Sequence, residues 1–65
     1  MYAIKFTFPW GGVEYAGKTR DGSLGFASTL ATADLYESRE IAERFLANGY
    51  GDGTRPLGEV IEVEA

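Results

Sequence analysis

The chain has 65 residues, which suffices for one domain, residues 1–65, and leaves no room for a second. Its 45% hydrophobic and 14% aromatic content is typical of a folded chain rather than a disordered one. The chain has no Cys and no His, which excludes disulfide frameworks, the usual zinc ligand sets and imidazole acid-base catalysis. We therefore expect a protein that is not an enzyme and that holds no cofactor or metal.

The formal net charge is −4, from six Lys and Arg against ten Asp and Glu, which disfavours direct binding to nucleic acid. The first twenty residues carry three of the cations and only one acid, so the acidity belongs to the later two-thirds. No apolar run approaches the roughly 20 residues of a membrane span, and no signal-peptide pattern opens the chain. These features predict a soluble, cytoplasmic protein that does not bind membranes.

The first 27 residues predict three short strands. Apolar residues alternate over 2–8, and Pro-Trp-Gly-Gly at 9–12 then predicts a turn. A second strand is predicted over 13–18. An Asp-Gly turn within 19–23 precedes a third strand over 24–27. The three strands form an antiparallel meander.

A short helical turn follows the meander. Ser28 can cap residues 29–33, which make about one turn and need packing for stability. Leu30 and Ala33 are expected to face the core.

The main helix is predicted over residues 39–48, with Ser38 as its N-cap. Gly49 suits a left-handed C-terminal position, after which Tyr50 would pack back on Phe45. Arg39 can pair with Glu43, and Arg44 with Glu40, each one turn away on the helix.

Residues 51–56 are predicted to be a connector, and residues 57–64 a last strand. The order β-β-β-α-β predicts an α+β domain, in which an antiparallel sheet of three to four strands has the helix packed on one face. The other face would be solvated. The core face is expected to carry Tyr2, Ile4, Phe6, Phe8, Val13, Tyr15, Phe26, Ile61 and Val63.

The last strand carries one of two acidic clusters. Glu62 and Glu64 stand on its outward parity, where a two-residue step of about 6.6 Å is close to the spacing of phosphates along a nucleic-acid strand. Glu59 adds a third carboxylate. The alternative interpretation is an edge strand protected by charge, with Lys5 pairing with these acids if the two strands are neighbours.

The helix start carries the other acidic cluster. Glu37, Glu40 and Glu43 follow Asp34 and could face a basic partner. Acids in a first turn also stabilise a helix in any protein, so the cluster has an ordinary structural explanation.

Trp10 stands in a turn whose glycines offer no cover, and Trp is enriched among interface hot spots. It could anchor a protein partner. The alternative is that the single Trp closes one end of the small core.

The pattern Phe26-x-Ser28-x-Leu30-x-x-Ala33-x-x-Tyr36-x-Ser38-x-x-x-Ala42, after a Tyr-Ala-Ile-Lys strand and a glycine-containing hairpin, resembles small β-β-β-α-β proteins of phages and prophages. Such proteins include anti-CRISPR proteins, which bind Cas effector subunits and block recognition of target DNA, several of them by presenting carboxylates in place of DNA. The resemblance implies this general role, in the cytoplasm of an infected bacterium, and no individual binding residue.

Two functions remain open at this point. The first is a non-enzymatic acidic inhibitor that competes with DNA for a basic protein surface, with contacts at Glu37, Glu40, Glu43, Glu59, Glu62 and Glu64 and an anchor at Trp10. The second is a structural or adaptor module that acts through its outer strand or exposed aromatic residues, as a monomer or a weak homodimer.

Overall fold

The computed structural model describes residues 1–18 and 24–64, which form one four-stranded antiparallel sheet with an α-helix on it. The predicted α+β class and element order are confirmed, whereas the predicted Asp-Gly turn within 19–23 lies outside the described residues. The order in the sheet is β3-β2-β1-β4, and α1 packs on β1 and β4. The elements are β1 (Tyr2–Thr7), β2 (Val13–Lys18), β3 (Leu24–Ala27), α1 (Arg39–Gly49) and β4 (Gly58–Glu62).

Five residues join β1 to β2, and Phe8 and Gly12 among them close a three-residue loop over 9–11. Phe8 N donates to Gly12 O at 2.8 Å and Gly11 N to Phe8 O at 2.9 Å, with Pro9 at the first central position of the turn. Gly11 has φ +94°, the left-handed conformation that the third residue of such a loop requires. The loop length fixes which residues of the two strands lie opposite each other.

The faces of β2 are the reverse of the prediction. Val13 pairs with Thr7 and Tyr15 with Lys5, so Val13 and Tyr15 point away from the helix. Ala16 takes the core position instead and is fully buried. The more apolar parity of β2 is that of Val13 and Tyr15, so the pattern favoured the wrong face, and the loop length decided which face is buried.

The faces of β4 are also reversed. Ile61 pairs with Ala3, so Ile61 and Val63 point away from the helix. Glu62 pairs with Tyr2 and therefore has the parity of the helix-covered face. The face away from the helix, which was predicted to be solvated, receives apolar residues from both reversed strands.

The core lies between α1 and the covered face of the sheet. Phe6 and Ile4 are its largest fully buried side chains, and Val60 of β4 packs against it. Phe26 contacts Phe6 with ring centroids 5.2 Å apart and is nevertheless 45% exposed. The buried cluster consists of Ile4, Phe6, Ala16, Tyr36 and Ala42.

The N-terminus of α1 is capped as predicted. The Ser38 hydroxyl accepts a hydrogen bond from Ile41 N at 3.2 Å, which satisfies one of the free donors of the first turn. The helix begins at Arg39, so the start predicted from the sequence is confirmed.

The C-terminus of α1 differs from the prediction. Gly49 is the last helical residue, and Tyr50 follows in extended conformation with φ −119°, so the left-handed ending at Gly49 is wrong. Tyr50 packs on Phe6, with centroids 4.8 Å apart, while Phe45 packs on Tyr36. Tyr50 therefore packs against the sheet rather than back along the helix.

Two short 3-10 helices complete the described part of the chain. The first is Leu30–Thr32, with Thr29 rather than Ser28 at its N-cap position. Leu30 is 37% exposed, and it borders the face of the sheet opposite the helix rather than the core. The second, Arg55–Leu57, forms within the predicted connector and leads directly into β4.

Candidate functional site

Tyr2 joins two segments that are distant in the sequence. Its N–H donates to Tyr36 O at 2.8 Å and its carbonyl accepts from Tyr36 N at 2.7 Å, while on the other side Tyr2 pairs with Glu62 of β4. Glu37, the residue after Tyr36, is therefore held at the same end of the sheet as Glu62. The sheet thus connects the two acidic clusters that the sequence separates.

Arg39 fixes the start of α1 above this end of the sheet. Its guanidinium lies 5.3 Å from the Tyr2 ring centroid, and its Nη1 is 3.4 Å from Val60 O. These contacts replace the predicted pairing of Arg39 with Glu43. The first helical turn, which contains Glu40, therefore lies over the same strand ends as Tyr2.

We call this region the acidic end of the molecule and define it by four carboxylates around Tyr2. All four side chains are exposed. Glu43 lies about one helical turn further along α1 and is also exposed. The acidic end consists of Glu37, Glu40, Glu62 and Glu64.

The structure separates Glu59 from the acidic end. Glu59 pairs with Lys5 on the face away from the helix, as the sequence suggested for neighbouring strands. Glu62, in contrast, has the opposite parity, so its predicted placement on the face away from the helix is wrong. The carboxylates of β4 are therefore divided between two faces of the sheet.

Cations lie among the carboxylates of the acidic end. Arg44 Nη2 is 3.4 Å from Glu40 Oε1, which confirms the predicted helical pair. Both side chains are mostly exposed, at 67% and 84%, so the pair contributes only a few tenths of a kcal/mol, about 0.3–0.5. One carboxylate of the acidic end thus has an arginine partner, and Arg39 lies nearby against Tyr2 and Val60.

Trp10 lies at the opposite end of β1. It is 78% exposed and stacks on Phe8 with ring centroids 4.8 Å apart and an interplanar angle of 6°. The stacking holds the indole in the hairpin loop without burying it. Trp10 therefore does not close the core, and it does not belong to the acidic end.

An aromatic surface adjoins Trp10 that the sequence did not indicate. Phe26 lies 6.1 Å from Phe8 and 5.6 Å from Tyr50 between ring centroids, on the part of the covered sheet face beyond α1. Phe26 was predicted to lie on the core face of the sheet. Phe26 stays partly exposed because α1 lies over β1 and β4.

Two tyrosines, the buried Tyr36 and the half-buried Tyr50, have raised pKa values. Burial raises the pKa of Tyr50 to about 12, with smaller contributions from Tyr36 and Asp34, while the Gly17 backbone opposes the shift. Burial also raises the pKa of Tyr36, and Asp34 adds to it. Both phenols therefore stay protonated near neutral pH and cannot serve there as general bases.

The grooves in the described surface are open. One of about 280 Å³ lies beside the end of α1, along Arg44, Phe45 and Asn48. Another of about 330 Å³ lies on the far side of the sheet, between Leu35 and Val63. Within residues 1–18 and 24–64, no group of three or more acidic side chains could hold a metal ion. In the same part of the chain, no helix has the length and apolarity that crossing a membrane requires.

The sequence matches no known protein family, no curated protein and no solved structure at a significant level.

Proposed function

We propose that the protein is a non-enzymatic inhibitor that places its acidic end on a basic, nucleic-acid-binding surface of a protein partner. The observation that supports this proposal is the pairing of Tyr2 with both Tyr36 and Glu62, which gathers carboxylates from the helix start and from the last strand. Competition with nucleic acid is then electrostatic and steric.

Carboxylates suit such a partner because a nucleic-acid-binding surface owes much of its affinity to Lys and Arg side chains that neutralise phosphates. A standard interface takes about 800 Å² from each partner, close to a fifth of the 4294 Å² surface of this protein. One end of the molecule with its adjoining helix turn can supply that area. The inhibitor would be bound more weakly as salt screens the charges.

The resemblance to phage proteins gives this proposal its specific form. In that form the partner is a Cas effector subunit, and the inhibitor prevents recognition of target DNA. The protein would then act in the cytoplasm of an infected bacterium.

The test begins with capture of partners by the immobilised protein from nuclease-treated lysates of bacteria that contain CRISPR effectors. A captured nucleic-acid-binding protein is purified, and its binding to labelled DNA is measured with increasing amounts of the inhibitor. The proposal predicts that the inhibitor displaces DNA and that salt weakens the inhibition.

Charge reversal then locates the contact. Glu62→Lys and Asp52→Lys change the net charge equally, but Asp52 lies in the loop before β4 and is 99% exposed. Glu62→Lys should weaken inhibition, the double variant with Glu64→Lys should abolish it, and Asp52→Lys should leave most of it. Full inhibition by the folded double variant would contradict the electrostatic mechanism.

The second candidate function is an adaptor module that binds a partner through aromatic residues, and the 78% exposure of Trp10 favours it. In that case Trp10→Ala should weaken binding, whereas moderate salt should have little effect. The inhibitor hypothesis predicts the reverse order of sensitivity. The same captured partner, titrated with both variants at two salt concentrations, separates the two functions.

A further inference from the structure

We propose that the face of the sheet opposite α1 binds a second copy of this chain, sheet against sheet. We call it the open face and define it by Lys5, Val13, Tyr15, Glu59, Ile61 and Val63. The proposal does not rest on the inhibitor function, since Glu62 and the helix lie on the other side of the sheet.

The open face is apolar where an antiparallel sheet with one solvated face is usually polar. Val13 is 39% exposed, and Tyr15, Ile61 and Val63 are each partly exposed. Leu35, which is 42% exposed, extends this surface across the groove beside Val63. A contiguous apolar surface of this kind is typical of an interaction site.

The charges of the open face favour an identical copy over a basic partner. Among the described residues, Lys5 and Glu59 lie on this face as direct cross-strand neighbours. One cation beside one anion makes the centre of the face neutral, although the whole chain carries −4. Glu64 lies at the rim of the groove, where it can stay hydrated in a complex.

A two-fold axis through the centre of this face makes the charge pair self-complementary. Lys5 of one copy then approaches Glu59 of the other, and the reverse contact forms by symmetry. A basic partner would instead meet Lys5 as a like charge. Glu40 on α1 and Glu62 on the helix-covered face lie away from this interface, which limits the repulsion between two acidic chains, whereas Glu64 lies at its rim.

The size of the molecule is compatible with such a dimer. Its two largest extents are 29 and 25 Å, so an interface of the standard size, roughly 800 Å² from each partner, would use nearly a whole side of the molecule. The dimer would be a two-layer sandwich of sheets with one helix on each outer side.

Sedimentation velocity of the wild-type protein over a concentration series, from micromolar to millimolar, is the direct test. We expect a concentration-dependent change from monomer to dimer. Ile61→Lys places a second cation on each face, and it should weaken the dimer by about tenfold or more. Phe45→Lys is the matched control, because Phe45 is 40% exposed on the helix side, and this variant should dimerise as the wild type does.

A charge swap keeps the test independent of any loss of stability in Ile61→Lys. Lys5→Glu and Glu59→Lys each leave two like charges on the face and should each weaken dimerisation, whereas the double variant restores one charge of each sign and should regain it. Circular dichroism confirms that each variant is folded at the concentrations used.

A wild-type protein that stays monomeric up to millimolar concentration would overturn the proposal and assign the open face to a different protein. A dimer that Trp10→Ala disrupts and Ile61→Lys leaves intact would overturn it too. Neither result would affect the inhibitor hypothesis, which is tested by displacement of DNA.

Discussion

Phe6 and Gly58 lie directly opposite each other in β1 and β4, and the Phe6 ring occupies the space that a side chain at position 58 would need. A Cβ at Gly58 would lie 2.7 Å from Phe6 Cε1 and 2.7 Å from Leu46 Cδ1. The glycine therefore permits the close approach of β4, β1 and α1 that builds the core.

Gly58→Ala is expected to lower the free energy of unfolding by about 1–3 kcal/mol, since the added methyl group overpacks the core at Phe6 and Leu46. Urea unfolding followed by circular dichroism measures the change. Gly53→Ala is the matched control, because a Cβ there meets nothing within 4 Å, and its effect should stay within about 0.5 kcal/mol. Equal effects at the two positions would contradict the packing described for Gly58.

Ser38→Ala removes the hydroxyl that accepts from Ile41 N and should cost about 1 kcal/mol of stability. Ser28→Ala provides the comparison. Ser28 is exposed and caps no helix, so the expected change there is within about 0.5 kcal/mol. Thermal unfolding of the two variants beside the wild type tests the difference, and a larger loss in Ser28→Ala would show that the cap is misplaced.

Tyr50, which is half-buried, and Tyr36, which is buried, should respond differently to loss of the hydroxyl. Tyr50 Oη donates to Gly25 O at 2.8 Å, so Tyr50→Phe should destabilise by about 1 kcal/mol. Tyr36 Oη is buried without a hydrogen-bond partner among the described residues, so Tyr36→Phe should leave stability unchanged or raise it by up to about 1 kcal/mol. Denaturant midpoints of both variants and of the wild type, measured at neutral pH, test the two predictions.

Stability should fall at alkaline pH because of the raised pKa of Tyr50. Burial raises that pKa to about 12 in the folded protein, whereas a phenol in an unfolded chain releases its proton near its ordinary value of about 10. Between these values the folded state binds more protons, so the contribution of Tyr50 to the free energy of unfolding is constant below about pH 10 and decreases as the pH rises toward 12.

Unfolding curves between pH 8 and pH 11, compared for wild type and Tyr50→Phe, measure this dependence. The variant should show a smaller decrease with pH. Tyr36 contributes in the same direction, since burial raises its pKa as well, and so part of the decrease should persist in Tyr50→Phe. An identical pH dependence in the two proteins would exclude Tyr50 as its source.

The sequence predicted the elements well because their signals are local. Strand periodicity, the hairpin residues and the cap at Ser38 placed β2, β3 and the start of α1 at their observed bounds. Such signals depend on neighbours within a few positions, and no distant contact overrides them.

The faces of the strands could not be predicted in the same way. In β2, Val13 and Tyr15 formed the more apolar parity, yet the three-residue loop places Tyr15 opposite Lys5 and leaves Ala16 to the core. The predicted left-handed ending at Gly49 was wrong for a related reason, since Tyr50 packs on Phe6 on the helix-covered face of the sheet. Contacts between distant segments determined both outcomes.

The candidate site was only partly accessible from the sequence. Charge counting identified the carboxylates, including Glu37 and Glu62, but their proximity depends on β4 lying beside β1 and on the Tyr36 segment pairing with Tyr2. Strand order cannot be deduced from the pattern of one sequence. The exposure of Trp10, left open by its position in a turn, required the structure.

The pairing of β1 with β4 also has a consequence for synthesis on the ribosome. β1 is made before β4 and lacks one of its neighbours until Gly58–Glu62 has emerged, so the core around Phe6 cannot close before then. Nascent chains that stop before Gly58 would leave an edge of β1 open to pairing with other chains. Closure of the core is therefore expected to follow the emergence of β4.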